Sequence, residues 1–297
     1  MRILVTGGAG FIGSHLVEQL TDYDVHVLDD LSRGSRDWLP ADATLHEVDL
    51  RDADGVARAV ASVRPDVVAH LAALHFIPAV DRAPELAREI NVGGTENLLR
   101  ALREHVPQLV LLASSAAVYP DSAGPIPEAT SPEPIDVYGR TKLEGERLVE
   151  RFGEETGTGY VLARLFNIIG RRETNRHVVP ELIDQLREGA SPVRLGNLAP
   201  RRDYTDVVDA AAALALLLLR PATETVFNVG SGKSTSVAEL VAACERILGR
   251  PIPVEPASER LRARDRAELL ADIGRLASTG WSPTRTLEQT LATLLDE

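Results

Sequence analysis

The feature that most constrains the fold is a glycine-rich turn within the first fifteen residues, MRILVTGGAGFIGSH. An apolar run typical of a buried strand precedes the turn, and an amphipathic stretch follows it. Gly8, Gly10 and Gly13 fit the spacing G-x-G-x-x-G, and Gly7, Gly10 and Gly13 fit the tighter spacing G-x-x-G-x-x-G. Such a turn carries little side-chain volume, so that a helix N-terminus can approach the pyrophosphate of a dinucleotide.

An acidic residue lies at the expected distance from this turn. The second apolar run, 25–28, ends before Asp29, which follows Gly13 by 16 residues. In dinucleotide-binding folds a carboxylate near this position binds the ribose hydroxyls of NAD and disfavours the 2′-phosphate of NADP. Arg33 and Arg36 weaken that preference slightly, since an arginine can accommodate the phosphate. Turn and carboxylate together predict a dinucleotide site with NAD as its cofactor.

The composition excludes several classes of protein. The 297 residues carry a net charge of −12, so we expect no basic surface for nucleic acid or an anionic membrane. The longest apolar run, 210–219, is too short to span a bilayer and predicts a buried helix. A single cysteine, Cys244, fits a reducing compartment, and the N-terminal strand lacks the pattern of a signal peptide. We therefore expect a cytoplasmic protein.

The seven histidines indicate no metal site at the level of sequence. None of them forms a pair at ligand spacing beside suitable carboxylates. His70 follows an apolar run and is expected in the core, whereas His75 is expected near the rim of the site. We therefore expect no bound metal.

Apolar runs alternate with helical stretches through the first half of the chain, which is typical of a parallel sheet covered on both faces. The predicted strands are 3–6, 25–28, 45–48, 67–70, 109–113 and 161–165. The predicted helices of this half are 14–20, 55–63, 85–105 and 138–155. The fold class is therefore α/β, a Rossmann doubly wound parallel sheet.

The character of the chain changes after Asn167. Its segments become irregular and richer in proline and arginine. The short helices predicted here are 179–188, 237–248 and 287–295. We predict an NAD-binding domain over 1–168, to which 204–229 returns, and a smaller, partly interleaved C-terminal lobe over 169–297 that binds substrate.

A tyrosine and a lysine, Tyr138 and Lys142, are spaced to lie on one face of a predicted helix. A nearby ammonium and the positive charge of an oxidised nicotinamide would favour the tyrosine phenolate and make it a usable base. A third polar residue, Ser115, follows strand 109–113 at the sheet edge where α/β proteins bind ligands. An ordinary helix face would explain the first two alone, but the three elements in this order indicate a catalytic site.

These motifs resemble those of the extended short-chain dehydrogenase/reductases, and within them the nucleotide-sugar 4-epimerases of the UDP-galactose epimerase type. The segments that carry the resemblance are 6–13, 29–31, 48–50, 70–73, 91–95, 114–119, 138–142, 164–167, 202–204, 227–230, 262–265 and 271–272. The resemblance implies an enzyme with tightly bound NAD that inverts C4 of a nucleotide-diphosphate sugar, with a UDP-hexose favoured.

The resemblance also implies roles for individual residues. Tyr138 would be the base, Lys142 its cationic partner and a ligand of the nicotinamide ribose, and Ser115 a hydrogen-bond partner of the sugar 4-oxygen. The implied cofactor-binding residues are Gly7, Gly10, Phe11, Ile12, Gly13, Asp29, Asp49, Leu50, Leu71, Ala72, Ala73, Asn91, Tyr138 and Lys142. The implied substrate-binding residues are Ser115, Asn167, Arg202, Arg262 and Leu269. Independently of the resemblance, the planar guanidinium of arginine suits a diphosphate.

The same scaffold supports other reactions of keto sugars. Dehydratases and decarboxylases that this chain resembles carry an acidic residue after the serine, whereas Ala116 and Ala117 have no proton to exchange. In the favoured reaction Tyr138 takes the 4-hydroxyl proton, a 4-keto sugar forms and turns, and hydride returns to its other face. The alternatives are a 4-ketoreductase or 4,6-dehydratase acting on a GDP- or dTDP-sugar, which segment 195–198 favours, and an NAD-sensing regulator on the same fold.

The resemblance further implies how the chain pairs and which sugars it accepts. It implies a homodimer built on helices 85–105 and 138–155, and two-fold dimers are the commonest oligomers. The candidates for its apolar contacts, unless they face the protein's own sheet, are Leu98, Leu99, Leu102, Leu143 and Leu148. Seven residues after Arg262, the resembling enzymes hold the residue that limits space beside C2 of the sugar. Leu269 stands there and is smaller than tyrosine, which favours some acceptance of N-acetylated sugars.

A second glycine-rich segment, 230–234, is similar to a phosphate-binding loop, but Phe227 stands where that loop needs its first glycine. We expect a strand–turn–helix connection there instead, with Ser236 capping the helix that begins at Val237.

Overall fold

A parallel sheet of seven strands organises the residues that the computed structural model describes, which are 1–220, 224–257 and 266–296. The strands are β1 (Arg2–Thr6), β2 (Asp24–Asp29), β3 (Thr44–Glu47), β4 (Val67–His70), β5 (Leu109–Ser115), β6 (Pro125–Ile126), β7 (Gly159–Leu165), β8 (Asn167–Ile169), β9 (Val193–Leu195), β10 (Arg201–Asp206), β11 (Val226–Val229), β12 (Ser234–Ser236), β13 (Val254–Pro256) and β14 (Glu268–Ala271). The helices are α1 (Phe11–Glu18), α2 (Ala53–Val63), α3 (Ile77–Arg82), α4 (Pro84–Arg88), α5 (Gly94–Leu102), α6 (Val137–Thr156), α7 (Val178–Arg187), α8 (Val207–Leu219), α9 (Val237–Leu248), α10 (Gly274–Ser278) and α11 (Leu287–Leu295).

The large sheet has the order β11-β7-β5-β4-β1-β2-β3, and all its neighbouring strands are parallel. From β1 the chain winds in one direction through β2 and β3, and then in the other through β4, β5, β7 and β11. The carboxyl ends of β1 and β4 therefore border the place where the winding reverses, and open α/β sheets bind ligands at this place. The predicted Rossmann doubly wound sheet is confirmed.

All six strands predicted for the first half are present, and each end lies within two residues of its predicted position. The side chains of these strands alternate between two core clusters on opposite faces of the sheet. One cluster joins α1 and α8 to the sheet, and the other joins α2, α5 and α6 to it. The buried helix predicted at 210–219 is thereby confirmed as α8.

The chain is helical from Pro84 to Leu102, where helix 85–105 is predicted, but a π turn at Glu89–Gly93 lies between α4 and α5. Within this turn the Asn91 carboxamide bonds to both the N–H and the carbonyl of Leu74, and Thr95 donates to the Asn91 carbonyl at 2.7 Å. Such side-chain bonds stabilise a wider turn. The sequence did not reveal it because the apolar repeat continues through the turn.

Three leucines expected at a dimer contact are buried in the protein's own core. Leu98, Leu99 and Leu102 are at most 5% exposed and pack with α2 and the sheet. Leu143 and Leu148 are partly buried and also pack against core clusters of the same chain. Of the two alternatives stated for these leucines, the three of α5 therefore follow the second, since they face the protein's own core.

A smaller sheet, β12-β10-β14-β6 with β8 beside β10, forms the second layer of the described chain. A third core cluster joins α7, α9 and α11 and includes the fully buried Cys244. The two halves of the chain interleave, since β6 joins the smaller sheet whereas β11 joins the large one. The division of the chain at 168 stays a prediction.

The segment 230–234 belongs to the connection between β11 and α9, as predicted, but the short strand β12 lies between the turn and the helix. The backbone N–H groups of Ser231 and Gly232 donate to the Asp203 carboxylate at 2.6 and 2.9 Å. Ser236 caps α9 and exchanges hydrogen bonds with Glu239 in a capping box. Within the described ranges, no helix is long and apolar enough to cross a membrane.

Candidate active site

The glycine-rich turn joins β1 to α1 through close backbone approaches. Gly7 has a φ of +70°, and a Cβ there would lie 2.6 Å from the backbone nitrogen of Ala72. A Cβ on Gly13 would lie 2.0 Å from the carbonyl oxygen of Gly7. Only glycine fits these two places, so the first turn of α1 packs directly on the end of β1.

The N-terminus of α1 opens into a cavity of about 820 Å³. Gly10 is the N-cap of this helix, which has no side-chain cap and no acidic residue in its first turn. The residues that line the cavity include those that follow the carboxyl ends of β1, β2, β4, β5 and β7. The helix end offers N–H groups and a positive dipole end, which suit an anion such as a phosphate.

Most of the site residues expected from the sequence line this cavity. They are Gly7, Gly10, Phe11, Ile12, Gly13, Asp29, Asp49, Leu50, Leu71, Ala72, Ala73, Ser115, Tyr138, Lys142, Asn167, Arg202 and Leu269. Of the others, Asn91 lies behind the cavity wall, and Arg262 lies outside the described residues.

Asp29 at the end of β2 presents a buried acceptor to the cavity, since it is only 8% exposed. One carboxylate oxygen accepts from the backbone N–H of Ala9, and the other accepts from that of Leu31, both at 2.9 Å. Burial raises the pKa of Asp29 above its usual value, and the two N–H bonds oppose that rise. The carboxylate therefore also ties the glycine turn to β2.

Asp49 and Leu50 form another part of the cavity wall, after β3. The guanidinium of Arg51 donates to both carboxylate oxygens of Asp49 from its Nε, at 3.0 Å each, and this bonding lowers the pKa of Asp49. The carbonyl of Leu50 accepts from the side-chain amide of Asn97 at 2.9 Å, which fixes this wall to α5.

Asn91 was expected to face the cavity but does not line it, because its side chain is hydrogen-bonded to other groups of the protein. Its carboxamide oxygen accepts from the N–H of Leu74 at 2.7 Å. Its amide nitrogen donates to the Leu74 carbonyl and to the Thr141 hydroxyl, both at 3.0 Å. Asn91 thus connects the cavity wall after β4 to α6, one residue before Lys142. We assign it a positioning role.

Ser115, Tyr138 and Lys142 meet at the cavity wall between β5 and α6. Asp136 caps α6 by accepting from the N–H of Gly139 at 2.7 Å, which places Tyr138 in the first helical turn. Tyr138 and Ser115 share a side-chain hydrogen bond. The ammonium of Lys142 lies 5.9 Å from the centre of the Tyr138 ring. The fold therefore brings a phenol, a hydroxyl and an ammonium together at the cavity wall.

The protein alone does not favour the Tyr138 phenolate. Burial raises the pKa of Tyr138 to about 12, the charge of Asp136 adds to the rise, and the hydrogen bond with Ser115 opposes it. Burial also lowers the pKa of Lys142 to about 8. The Lys142 ammonium donates to the Ala113 carbonyl at 2.9 Å rather than to the phenol. The phenolate therefore needs a further positive charge in the cavity.

A buried ion pair supports this constellation from behind. Glu146, one helical turn after Lys142, accepts from Arg164 at 2.9 and 2.7 Å and from the Ser114 hydroxyl at 2.5 Å. Both charged side chains are at most 5% exposed. The pair connects α6 to β5 and β7, which fixes Ser115 relative to the helix that carries Tyr138.

The opposite side of the cavity carries polar groups from the smaller sheet. The Oδ1 atom of Asn167 is buried and accepts no hydrogen bond from the described residues. Arg202 and Leu269 are neighbours in the register of β10 and β14, and both line the cavity. A buried acceptor without a partner suits a donor on a bound ligand.

Arg266 is a cavity residue that the sequence did not reveal. It is 8% exposed, and its guanidinium donates to the carbonyls of Tyr119 at 2.8 Å and Ala117 at 3.3 Å. Its own carbonyl accepts from Arg202 at 2.9 Å. No local motif marks this residue, because the carbonyls that its guanidinium contacts lie more than 140 residues earlier in the chain.

The fold brings together one group of possible metal ligands that spacing along the sequence did not connect. His75, Glu173 and His177 lie together on the cavity wall, with ligand atoms within 4.8 Å of one another. Spacing along the sequence could not show this, because the fold joins segments about 100 residues apart. Burial lowers the pKa of His75 to about 4 and that of His70 to about 3. His70 lies in the core, as predicted, at 2% exposure.

Comparison with known proteins agrees with this geometry. The model of the NAD dependent epimerase/dehydratase family matches residues 3–230. The chain belongs to this family. The solved structure of the UDP-glucose 4-epimerase of Thermus thermophilus in complex with NAD is 33% identical, with a TM-score of 0.93, and covers 100% of this chain and 98% of its own.

Two relatives match almost end to end. The UDP-glucose 4-epimerase of Corynebacterium glutamicum is 33% identical over 96% of this chain and 92% of its own length. The GDP-6-deoxy-D-mannose reductase of Pseudomonas aeruginosa is 30% identical over 100% of this chain and 96% of its own length. The resemblance to the extended short-chain dehydrogenase/reductases is confirmed, and this family member is similar to both epimerases and a reductase.

Proposed function

We propose that this protein is a nucleotide-sugar 4-epimerase that uses tightly bound NAD, with a UDP-hexose as substrate. The observation that carries the proposal is the meeting of Ser115, Tyr138 and Lys142 in a cavity that also receives the glycine turn of α1. The similarity to two UDP-glucose 4-epimerases over nearly the whole chain supports the same reaction.

The cavity fits NAD on grounds independent of these relatives. The uncapped N-terminus of α1 suits the pyrophosphate, and the missing Cβ atoms of Gly7 and Gly13 allow close approach. Asp29 suits the ribose hydroxyls, and Asp49 and Leu50, which line the cavity, would flank the adenine. When bound, NAD supplies an oxidised nicotinamide that takes the C4 hydrogen as hydride and returns it, and whose positive charge favours the phenolate.

Three residues would handle the proton of the sugar 4-hydroxyl. Tyr138 takes this proton as its phenolate and returns it at the end of the turnover. Ser115, already hydrogen-bonded to Tyr138, orients the 4-oxygen, and the Lys142 ammonium stabilises the negative charge on the phenol oxygen. Arg202 and the amide nitrogen of Asn167 would hold the diphosphate, with Arg262 as a further proposed ligand. Holding the substrate by its diphosphate leaves the sugar free to turn.

The proposal is preferred over a dehydratase or a reductase for two reasons. A 4,6-dehydratase must also move a C5 proton, and Ala116 and Ala117 after the serine have no group for it. A 4-ketoreductase consumes its cofactor, which is often NADPH, and the Asp29 carboxylate would repel the 2′-phosphate. The similarity to a GDP-6-deoxy-D-mannose reductase makes reduction of a 4-keto sugar the second candidate reaction. An NAD-sensing regulator would not require Ser115, Tyr138 and Lys142 together.

We further infer a homodimer that works in the cytoplasm. Its two-fold contact would use the outward faces of α4, α5 and α6, where charged pairs join Arg88 of α4 to Glu144 and Arg103, which follows α5, to Glu155. These faces are charged because the leucines of α5 point into the core. A single buried cysteine, Cys244, with a pKa raised to about 11 by burial, is compatible with a reducing compartment.

The experiment that tests the reaction replaces the base. Tyr138→Phe removes only the phenol oxygen, so we expect the rate of C4 inversion to fall by about 10²- to 10⁴-fold while UDP-hexose binding changes little. Tyr160→Phe is the matched control, since Tyr160 packs against the core and does not line the cavity. A Tyr138→Phe protein that inverts C4 at nearly the normal rate would show that another group is the base.

A further inference from the structure

A cluster of metal-ligating side chains lies in the cavity apart from the proposed catalytic residues. His75 follows β4, and Glu173 and His177 belong to the segment that leads into α7. All three are half-buried and line the cavity. None of them has a role in the proton transfer or in the proposed binding of NAD and diphosphate.

The imidazole of His75 is oriented as metal-binding histidines are. It bonds to the backbone of Ala73, while its Nε2 atom points at Asn175 and the cluster. The amide nitrogen of Asn175 can only donate, so Nε2 carries the lone pair of the neutral ring, and a metal ion would take the place of this amide. This orientation is what a ligand needs before an ion arrives.

The spacing of the three donors fits one ion. Their ligand atoms lie within 4.8 Å of one another, and the two imidazole rings are 6.4 Å apart between centres with planes 33° from parallel. Bonds of about 2.0–2.2 Å from zinc to nitrogen and oxygen require only a small closure of these side chains. The amide of Asn175, now 2.8 Å from His75 Nε2, would turn its oxygen toward the ion.

We propose that His75, Glu173 and His177 form a binding site for a divalent transition-metal ion of the zinc type. Two imidazoles and one carboxylate are a donor set of zinc sites that keep an open position for water or substrate. The open position faces the cavity, because all three residues line it.

The charges of the surroundings set the strength and the ligand preference of the site. Glu173 supplies one negative charge, and the cations Lys142 and Arg33 lie close enough to affect His75. The ion and its three ligands keep a net positive charge, which suits an oxygen of a phosphate group at the open position. The site does not depend on the proposed epimerase reaction, because the donors belong to the protein alone.

Cobalt binding tests this site without any nucleotide sugar. The metal-stripped protein is titrated with Co²⁺, and visible absorption and calorimetry report coordination and stoichiometry. We expect one Co²⁺ per chain with the absorption of a low-coordinate site and displacement by Zn²⁺. Since loss of an outer partner alone costs about 10- to 100-fold in affinity, His75→Gln, Glu173→Gln and His177→Gln should each weaken binding by about 100-fold or more.

The matched control is His46→Gln, which alters another pair of imidazoles, His26 and His46, whose nitrogens lie 3.1 Å apart on the strands β2 and β3. This variant should bind Co²⁺ as the unmodified protein does. Absence of Co²⁺ binding, or binding that survives all three ligand replacements, would overturn the proposed site. Loss of binding in His46→Gln would assign the ion to the surface pair instead. None of these results bears on C4 inversion, which is measured separately.

Discussion

Tyr138 keeps its proton in the surroundings that the chain alone provides, since burial raises its pKa to about 12. Each pKa unit corresponds to about 1.4 kcal/mol, so a pKa near 8 would require roughly 5 kcal/mol of added interaction with the phenolate. One positive charge about 4 Å away supplies about 4 kcal/mol at an effective dielectric constant near 20. A bound oxidised cofactor therefore accounts for most of the activation.

Asp29 is predicted to set the preference for NAD over NADP. Asp29→Asn removes the negative charge, so we expect weaker NAD binding and a smaller difference between the two dinucleotides, measured by calorimetry with each. Because both carboxylate oxygens accept backbone N–H bonds, part of the loss will come from a looser glycine turn.

The neighbouring substitution Asp30→Asn separates charge from position, since it removes the same charge one residue later. We expect Asp30→Asn to change the ratio of the affinities for NAD and NADP less than Asp29→Asn does. Equal affinity of the unmodified protein for the two dinucleotides would contradict the role given to Asp29.

Leu269 is predicted to control access of N-acetylated sugars. Its side chain lines the cavity beside Arg202, so Leu269→Tyr adds bulk in the sugar region. We expect inversion of UDP-N-acetylglucosamine to fall more than that of UDP-glucose, measured as a ratio of kcat/KM values. Leu270→Tyr is the control, because Leu270 is next in β14 and does not line the cavity. An unchanged ratio in Leu269→Tyr would exclude this residue as the gate.

At the scale of elements, the sequence predicts what is repeated locally and misses what depends on distant contacts. The strands β1, β2, β4 and β5 are buried on both faces, so their apolar runs were recognisable. The strand β10 lacks such a run although it is six residues long, and it pairs with β8 and β14 at the lobe boundary over only three and two residues. The π turn before α5 and the cluster around His75 arise from contacts between segments that no local pattern connects.

The same reason explains which site residues could be predicted. The glycine turn, Asp29 and the pair of Tyr138 and Lys142 could be predicted because each is a local pattern in the sequence. The residues of these patterns that line the cavity are Gly7, Gly10, Gly13, Asp29, Tyr138 and Lys142. Arg266 carries no motif, and its role depends on carbonyls of the loop after Ser115. The raised pKa of Tyr138 could not be predicted from the sequence either, because burial is the main cause of the rise.

The contact between β1, β4 and α5 predicts a pH dependence of stability. His70 bonds to the hydroxyls of Thr6 at 2.6 Å and Thr95 at 2.8 Å, and burial lowers its pKa to about 3. Below the unfolded value of about 6.5, the unfolded chain binds a proton that the folded chain does not. The stabilisation is therefore full above pH 6.5 and is lost as the pH falls toward 3.

We expect His70→Gln to remove part of the fall in the free energy of unfolding between pH 6.5 and 4.5, measured with urea. For one group the slope is at most about 1.4 kcal/mol per pH unit. His105→Gln, which alters a half-buried histidine after α5, should keep the slope of the unmodified protein. An equal slope in His70→Gln would show that His70 is not buried in its neutral form.

At the scale of the whole molecule, two layers meet at one cavity. The large sheet contributes the glycine turn, Asp29 and the constellation around Tyr138, whereas the smaller sheet contributes Arg202 and Leu269. The substrate would be held by residues of the smaller sheet and oxidised beside residues of the large sheet, so the reaction needs both layers. The proposed two-fold dimer would lie away from this cavity, and light scattering at micromolar concentration should give the mass of two chains.

C4 epimerisation is tested directly by proton NMR of the purified protein with UDP-glucose and with UDP-galactose, without added cofactor. We expect both sugars to reach the same mixture of the two, with no net change in the cofactor released afterwards by denaturation, because hydride leaves and returns within one turnover. Absence of inversion in a protein that carries NAD, or a reduced sugar formed only with added NADPH, would contradict the account.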